Sequence, residues 1–187
     1  MMMDPLASSI PFRLKLFGIP PDLQREISEV WKTIHTDTES ILLEYYEFAC
    51  TFDAGKILYS GNEQALSTVA VVHYDKLFSA RFDADYLKSA RQIGTQLQKM
   101  GFDAIWIIAT RRFMLEKLSL LIGKRTRWNG TKVARTICLL EKALIFDIDM
   151  ILTVYQERAL DAANERSLRL QEAISQSELG PEICTGR

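Results

Sequence analysis

The stretch HYDKLFSARFDADYLKSARQIGTQLQKMGF, from His73 to Phe102, decides the fold. It reads as the end of one helix, a tight corner and a complete second helix. Leu66, Ala70, His73 and Leu77 recur at steps of four and three, which places them on one face of a helix predicted over Asn62–Leu77. Asp83 has the short polar side chain that caps a helix start, and Tyr86, Ala90, Ile93 and Leu97 repeat the same spacing behind it. Gly101 suits the end of that helix, and Asp103 can cap a further one running to about Ile122.

The same pattern continues in both directions. Only nine glycines and five prolines interrupt the chain, and they sit at segment ends. Short helices are predicted over Ser9–Phe17 and from Pro20-Pro21-Asp22 to about Ile34. Thr36-Asp37-Thr38-Glu39 supplies capping side chains for the next, where Ile41, Tyr45, Phe48 and Phe52 share a face. A loop from Gly123 to Gly130 precedes one long helix from Thr131 to about Gln176, and residues 177–187 read as a frayed tail. The expectation is a single all-α domain over residues 1–176, with no internal repeat.

Composition narrows the function. At 187 residues, with 48% hydrophobic and 25% charged side chains, the chain has the balance of a soluble globular domain able to bury its own core. A net charge of −1 gives no general attraction for nucleic acid or an anionic membrane surface. The most apolar window, ICLLEKALIFDIDMILTVY, carries Glu141, Lys142, Asp147 and Asp149 and so does not read as a membrane span. Cys50, Cys138 and Cys184 are odd in number and widely spaced, as expected of reduced thiols in a cytoplasmic protein. No nucleophile–base ordering, phosphate loop or metal-spaced cluster is present, so an enzyme is not expected. Asp147 and Asp149, two apart on a helix, point to different faces and cannot act as an acid/base pair. Lys124, Arg125, Arg127, Lys132 and Arg135, with Arg111 and Arg112, form a basic group around Trp128 that reads as a solvated loop.

The long last helix carries two apolar stripes. Ile137, Leu140, Leu144, Ile148, Ile151 and Tyr155 form one; Leu139, Ala143, Phe146, Met150 and Val154 form the other. With one stripe assigned to the chain's own core, the second is expected to face a partner. The preceding helix is apolar around most of its circumference too, through Trp106, Ile107, Met114, Leu118 and Leu121. A symmetric homodimer built on a four-helix bundle is therefore expected, with Leu139, Ala143, Phe146, Met150 and Val154 at its interface.

Several stretches, in order, carry a family likeness: Phe12-Arg13 to Phe17-Gly18-Ile19; LLEYYEF from Leu42 to Phe48; His73-Tyr74, Leu77-Phe78, Arg81-Phe82-Asp83 and Tyr86; Ile93-Gly94 to Phe102; and LLEKALIFDIDM from Leu139 to Met150, followed by Tyr155. Together, over about residues 12–159, they resemble the sensor-globin domain of bacterial globin-coupled sensors. The resemblance implies an all-α globin fold with an extra N-terminal helix, a weakened fourth-helix region, a long last helix and dimerisation through the last two helices. It also implies haem b, oxygen or gas binding, and a downstream signalling protein as partner. Tyr46 matches the family's distal tyrosine. Leu97 occupies the place of the histidine that holds the iron, and leucine has no lone pair to offer.

The remaining candidates follow from that alignment. From Tyr46 to Leu97 is 51 residues, the family's distal-to-proximal spacing; from Tyr46 to His73 is only 27. His73 thus matches a second, non-ligating histidine on the distal side and reads equally as a hydrogen-bonded core residue. Tyr46 and His73 are the distal pocket candidates, and Ile93, Ala90 and Met100 are expected to line the pocket from the helix of Leu97. His35 reads as a surface residue at a helix end. No metal site and no cofactor are expected, with haem b implied only by the resemblance. The expected function is a signalling module that senses a small ligand or partner without standard haem ligation and transmits through dimeric last helices. The alternatives are a haem-based gas sensor, as in the family, and a ligand-free dimerising interaction protein.

Overall fold

Helix boundaries follow the polar punctuation of the sequence. In the computed structural model, which describes residues 5–125 and 130–178, eight α-helices account for nearly all of the described residues. They are α1 (Pro5–Leu16), α2 (Pro21–Ile34), α3 (Thr38–Ala49), α4 (Asp53–Tyr59), α5 (Glu63–Phe78), α6 (Ala84–Lys99), α7 (Ala104–Arg125) and α8 (Gly130–Glu178). Arg127, Trp128 and most of the expected tail lie outside the described residues. Pro21 opens α2 with its fixed φ, and Asp83 caps α6 by accepting hydrogen bonds from the backbone N–H groups of Asp85 and Tyr86, each 3.1 Å long. Asp103 accepts from the Ile105 N–H in the same way. Gly101 ends α6 at φ +83°, a backbone state that residues with a Cβ rarely enter.

Two expectations about local structure are corrected. Residues 36–39 do not form a side-chain cap: His35–Asp37 is a turn of 3₁₀ helix, and the Asp37 carboxylate is taken by the Arg125 guanidinium at 2.5 and 2.8 Å. Phe52 does not continue the preceding helix. The chain breaks at Cys50 and starts the separate two-turn α4. Gly55 permits that break, because a Cβ there would sit 1.9 Å from the carbonyl oxygen of Ala49. The close approach tucks Tyr59 at the end of α4 into the core, where it is only 2% exposed.

α8 is the spine. Its first half packs on α6 and α7, and also on α2 and α1, while residues 156–174 are almost wholly exposed beyond the body of the protein. The stripe assigned to a partner subunit is a correction: Leu139, Ala143, Phe146, Met150 and Val154 are all buried within the protomer. So are Leu140, Leu144 and Ile151 of the other stripe. At about 100° per residue the two stripes are centred only about 120° apart, so one broad face carries both. α6, α7 and α2 wrap that face. The apolar residues of α7 and α8 that remain exposed are others, including Ile105, Ile108, Leu120 and Ile145. No described helix is long and apolar enough to cross a membrane.

Candidate functional site

α3, α4, α5, α6 and α7 enclose a cavity in the upper core. Tyr46, Tyr59, Ala70, Tyr74, Ile93, Gln96, Leu97, Phe102, Trp106, Ile107, Thr110 and Arg111 contribute to its wall. Its volume is only about 30 Å³, enough for about two water molecules. Aromatic rings occupy the rest of the space. Tyr59 stacks on Tyr46 with centroids 5.0 Å apart and meets Phe102 and Trp106 edge-on at 4.9 and 5.7 Å. The Gly55 contact holds α4, and with it the Tyr59 ring, in this position.

The residues singled out in the sequence separate into three groups. Tyr46, Ile93 and Leu97 line the cavity together; Leu97 is half-buried and ends its inward stripe. Ala90 is buried on the same helix but lies outside the wall, and Met100 borders a surface groove with Lys88, Arg91 and Lys99. His73 is fully buried and does not line the cavity. His35 is exposed.

His73 belongs instead to a buried polar network centred on Asp147, which is itself 0% exposed. Its Nε2 lies 2.8 Å from Asp147 Oδ1, and its Nδ1 lies 3.0 Å from Ser89 Oγ. The same Oδ1 accepts from the Tyr86 hydroxyl at 3.0 Å. Oδ2 accepts from Arg111 Nη2 at 2.7 Å and Nε at 3.2 Å. Four helices thus meet at one carboxylate. Burial alone would raise the Asp147 carboxyl, but His73 and Arg111 beside it outweigh burial and hold it well below the usual carboxylate range. Asp149 points the other way and pairs with Arg13 near the surface.

Arg111 therefore corrects its sequence assignment: it is 4% exposed, not part of a solvated patch. Its guanidinium also lies 5.4 Å from the centroid of the Tyr74 ring. Arg112, Arg125 and Arg135 do sit at the surface, in ion pairs with Glu116, Asp37 and Glu26. The network joins the cavity through Arg111 and Tyr74, each of which shares in both. Burial pushes the Tyr74 hydroxyl up to about 12 and raises those of Tyr46 and Tyr59 as well, so all three phenols are neutral at ordinary pH. Asp147, Tyr86, Tyr59 and Tyr74 were not singled out as site residues in the sequence. Asp147 and Arg111 had a signal, since each stands at a core-facing position of an apolar stripe.

Comparison with known proteins agrees with this architecture. The sequence matches the protoglobin family profile over residues 6–160. The structure is similar to the globin domain of the Geobacter sulfurreducens globin-coupled sensor, with a TM-score of 0.69 and 13% identity over 78% of this chain and 97% of that one. A sequence search among curated proteins found no significant match. A profile match spanning most of the chain, an all-helical globin fold and the ordered motifs lead to one assignment: the chain belongs to the protoglobin family.

Proposed function

We propose that this protoglobin is a sensor-globin signalling module whose input is not iron-bound oxygen, and whose output leaves through the last two helices. The closure of the pocket carries this reading. A ligand the size of haem needs a site of several hundred Å³, at least about 300 Å³ for pockets of drug-sized ligands, whereas the cavity is about 30 Å³.

The available ligands do not fit haem either. Leu97, at the proximal position, has no donor atom. The chain has two histidines; His35 is exposed, and both ring nitrogens of His73 are engaged by Asp147 and Ser89. Tyrosine binds haem iron as the phenolate, and burial opposes that form at Tyr46, Tyr59 and Tyr74. Met100 faces the surface groove.

For output, α8 runs from the core into an almost wholly exposed extension, so a displacement of its buried half is carried to residues 156–174 along a continuous helix. A homodimer through the outward faces of α7 and α8 would use exposed Ile108 and Ile145, with half-buried Ile148 and Leu152. The test is to produce the chain in cells supplied with a haem precursor and record the absorption of the purified protein. The reading expects no Soret band above background. A stoichiometric Soret band would overturn it.

A further inference from the structure

We propose that the cavity is a binding site for one small monovalent oxyanion, planar or bent and of three or four non-hydrogen atoms. The inference rests on the haem-free reading, because a porphyrin in this space would displace the residues that form the site.

The wall is rich in hydrogen-bond donors and poor in acceptors. Asp147 accepts four bonds from His73, Tyr86 and Arg111, so it is saturated and turned away from the cavity's needs. Arg111 spends Nε and Nη2 on that carboxylate, and its Nη1 group makes no hydrogen bond among the described residues. Tyr74 is fully buried and its hydroxyl likewise has no partner among them. A buried unpaired hydroxyl is costly and calls for an explanation. Tyr46 lies on the same wall, and Gln96 stands half-buried beside Leu97 on the side of α6. Thr110 is already used, donating to the Trp106 carbonyl at 2.7 Å.

An occupant that accepts from a guanidinium and one or two phenols, and donates nothing, satisfies these groups together. The volume sets its size: a space that takes about two water molecules suits a flat or bent group with its oxygens side by side, and favours it over bulkier tetrahedral sulfate or phosphate. Charge sets its valence. Asp147 already offsets Arg111, so the site attracts through oriented donors rather than a bare cation, and a divalent ion would lack compensation. The expected affinity is correspondingly modest, on the order of millimolar.

The experiment uses the full chain, with sodium nitrate and sodium formate as probes, by isothermal titration calorimetry and thermal unfolding. Sodium sulfate at matched ionic strength is the control. The expected result is one saturable site per chain and a rise in Tm with nitrate or formate that sulfate does not give. Tyr74→Phe should leave the ion-free Tm unchanged or raised, because it removes an unpaired hydroxyl, yet weaken anion binding about tenfold, the worth of one hydrogen bond to a charge. Ser67→Ala removes another unpaired buried hydroxyl, one that does not line the cavity, and should leave anion binding unaltered. An equal response to sulfate, or undiminished binding by Tyr74→Phe, overturns the proposal. Absence of any saturable response while haemin also gives no Soret band overturns it alone. Stoichiometric haemin binding overturns the haem-free reading and this site with it.

Discussion

Replacing Asp147 by Asn should cost far more stability than replacing Asp149 by Asn two residues later, although both aspartates are paired with arginine. Asp147 is 0% exposed and its partner Arg111 4%. In Asp147→Asn one carboxylate oxygen becomes an NH₂ group that faces donors from Arg111 or from His73 and Tyr86. The guanidinium is then left buried without a counter-charge. Breaking a buried pair in this way costs about 3–5 kcal/mol, a large share of the roughly 5–15 kcal/mol that holds a domain of this kind together. The Arg13–Asp149 pair has side chains 20% and 37% exposed, and losing it should cost under about 1 kcal/mol. Urea unfolding followed by circular dichroism measures both. The two variants also differ in pH dependence. The folded Asp147 carboxyl titrates below its unfolded value of about 3.9, so its stabilisation is complete above about pH 5 and drains away as pH falls toward the lower native value. Asp147→Asn should remove that part of the acid-side slope, whereas Asp149→Asn should keep it. Equal losses in the two variants, or a loss under 1 kcal/mol at Asp147, would refute the network as an organising element.

Leu97→His places an imidazole on the cavity wall, but with the cavity filled by Tyr59, Phe102 and Trp106 it should gain less than tenfold in haemin affinity and lose ~1 kcal/mol or more in stability, read by titration and urea unfolding. Ala80 sits buried at φ +54° in the α5–α6 corner, so Ala80→Gly should raise stability by up to ~1 kcal/mol, the strain less the added unfolded-state freedom, measured as a higher Tm. Ile145→Glu on the exposed face of α8 should shift sedimentation from dimer to monomer while the far-ultraviolet circular dichroism is unchanged; Met150→Glu, being fully buried, should instead unfold the chain. A parent protein that sediments as a monomer at high micromolar concentration would remove the dimer from the account.

The helices were legible because their signals are local. Asp83, Asp103, Gly101 and the three-and-four spacing of Tyr86, Ala90, Ile93 and Leu97 each act within a turn or two of chain. The break between α3 and α4 was not, because it depends on how closely Gly55 approaches the Ala49 carbonyl in space, and Phe52 happens to continue the apolar spacing. The partner-facing stripe failed for a geometric reason. Leu139 and Leu140, Ala143 and Leu144, and Met150 and Ile151 are neighbours around one broad face, and whether a neighbouring helix covers the whole of it depends on packing. At the site, Leu97 and Tyr46 could be placed by family spacing. The pairing of Arg111 with Asp147 joins residues 36 apart on different helices, and nothing in a single sequence links them. Each did betray itself singly: Arg111 falls between Ile107 and Met114 on a buried stripe, and Asp147 between Leu144 and Ile151. Two opposite charges on facing apolar stripes are a buried pair waiting for its geometry.

Titration of the purified chain with ferric haemin, followed at the Soret wavelength, decides between a closed pocket and a haem site. With a cavity near 30 Å³, Leu97 on its wall without a donor atom and His73 held by Asp147 and Ser89, only the broad spectrum of free or loosely adsorbed haemin is expected, with no saturation at one equivalent. A sharp Soret band that saturates at one haemin per chain, with a stable ferrous–oxygen spectrum after reduction, would contradict the closed pocket.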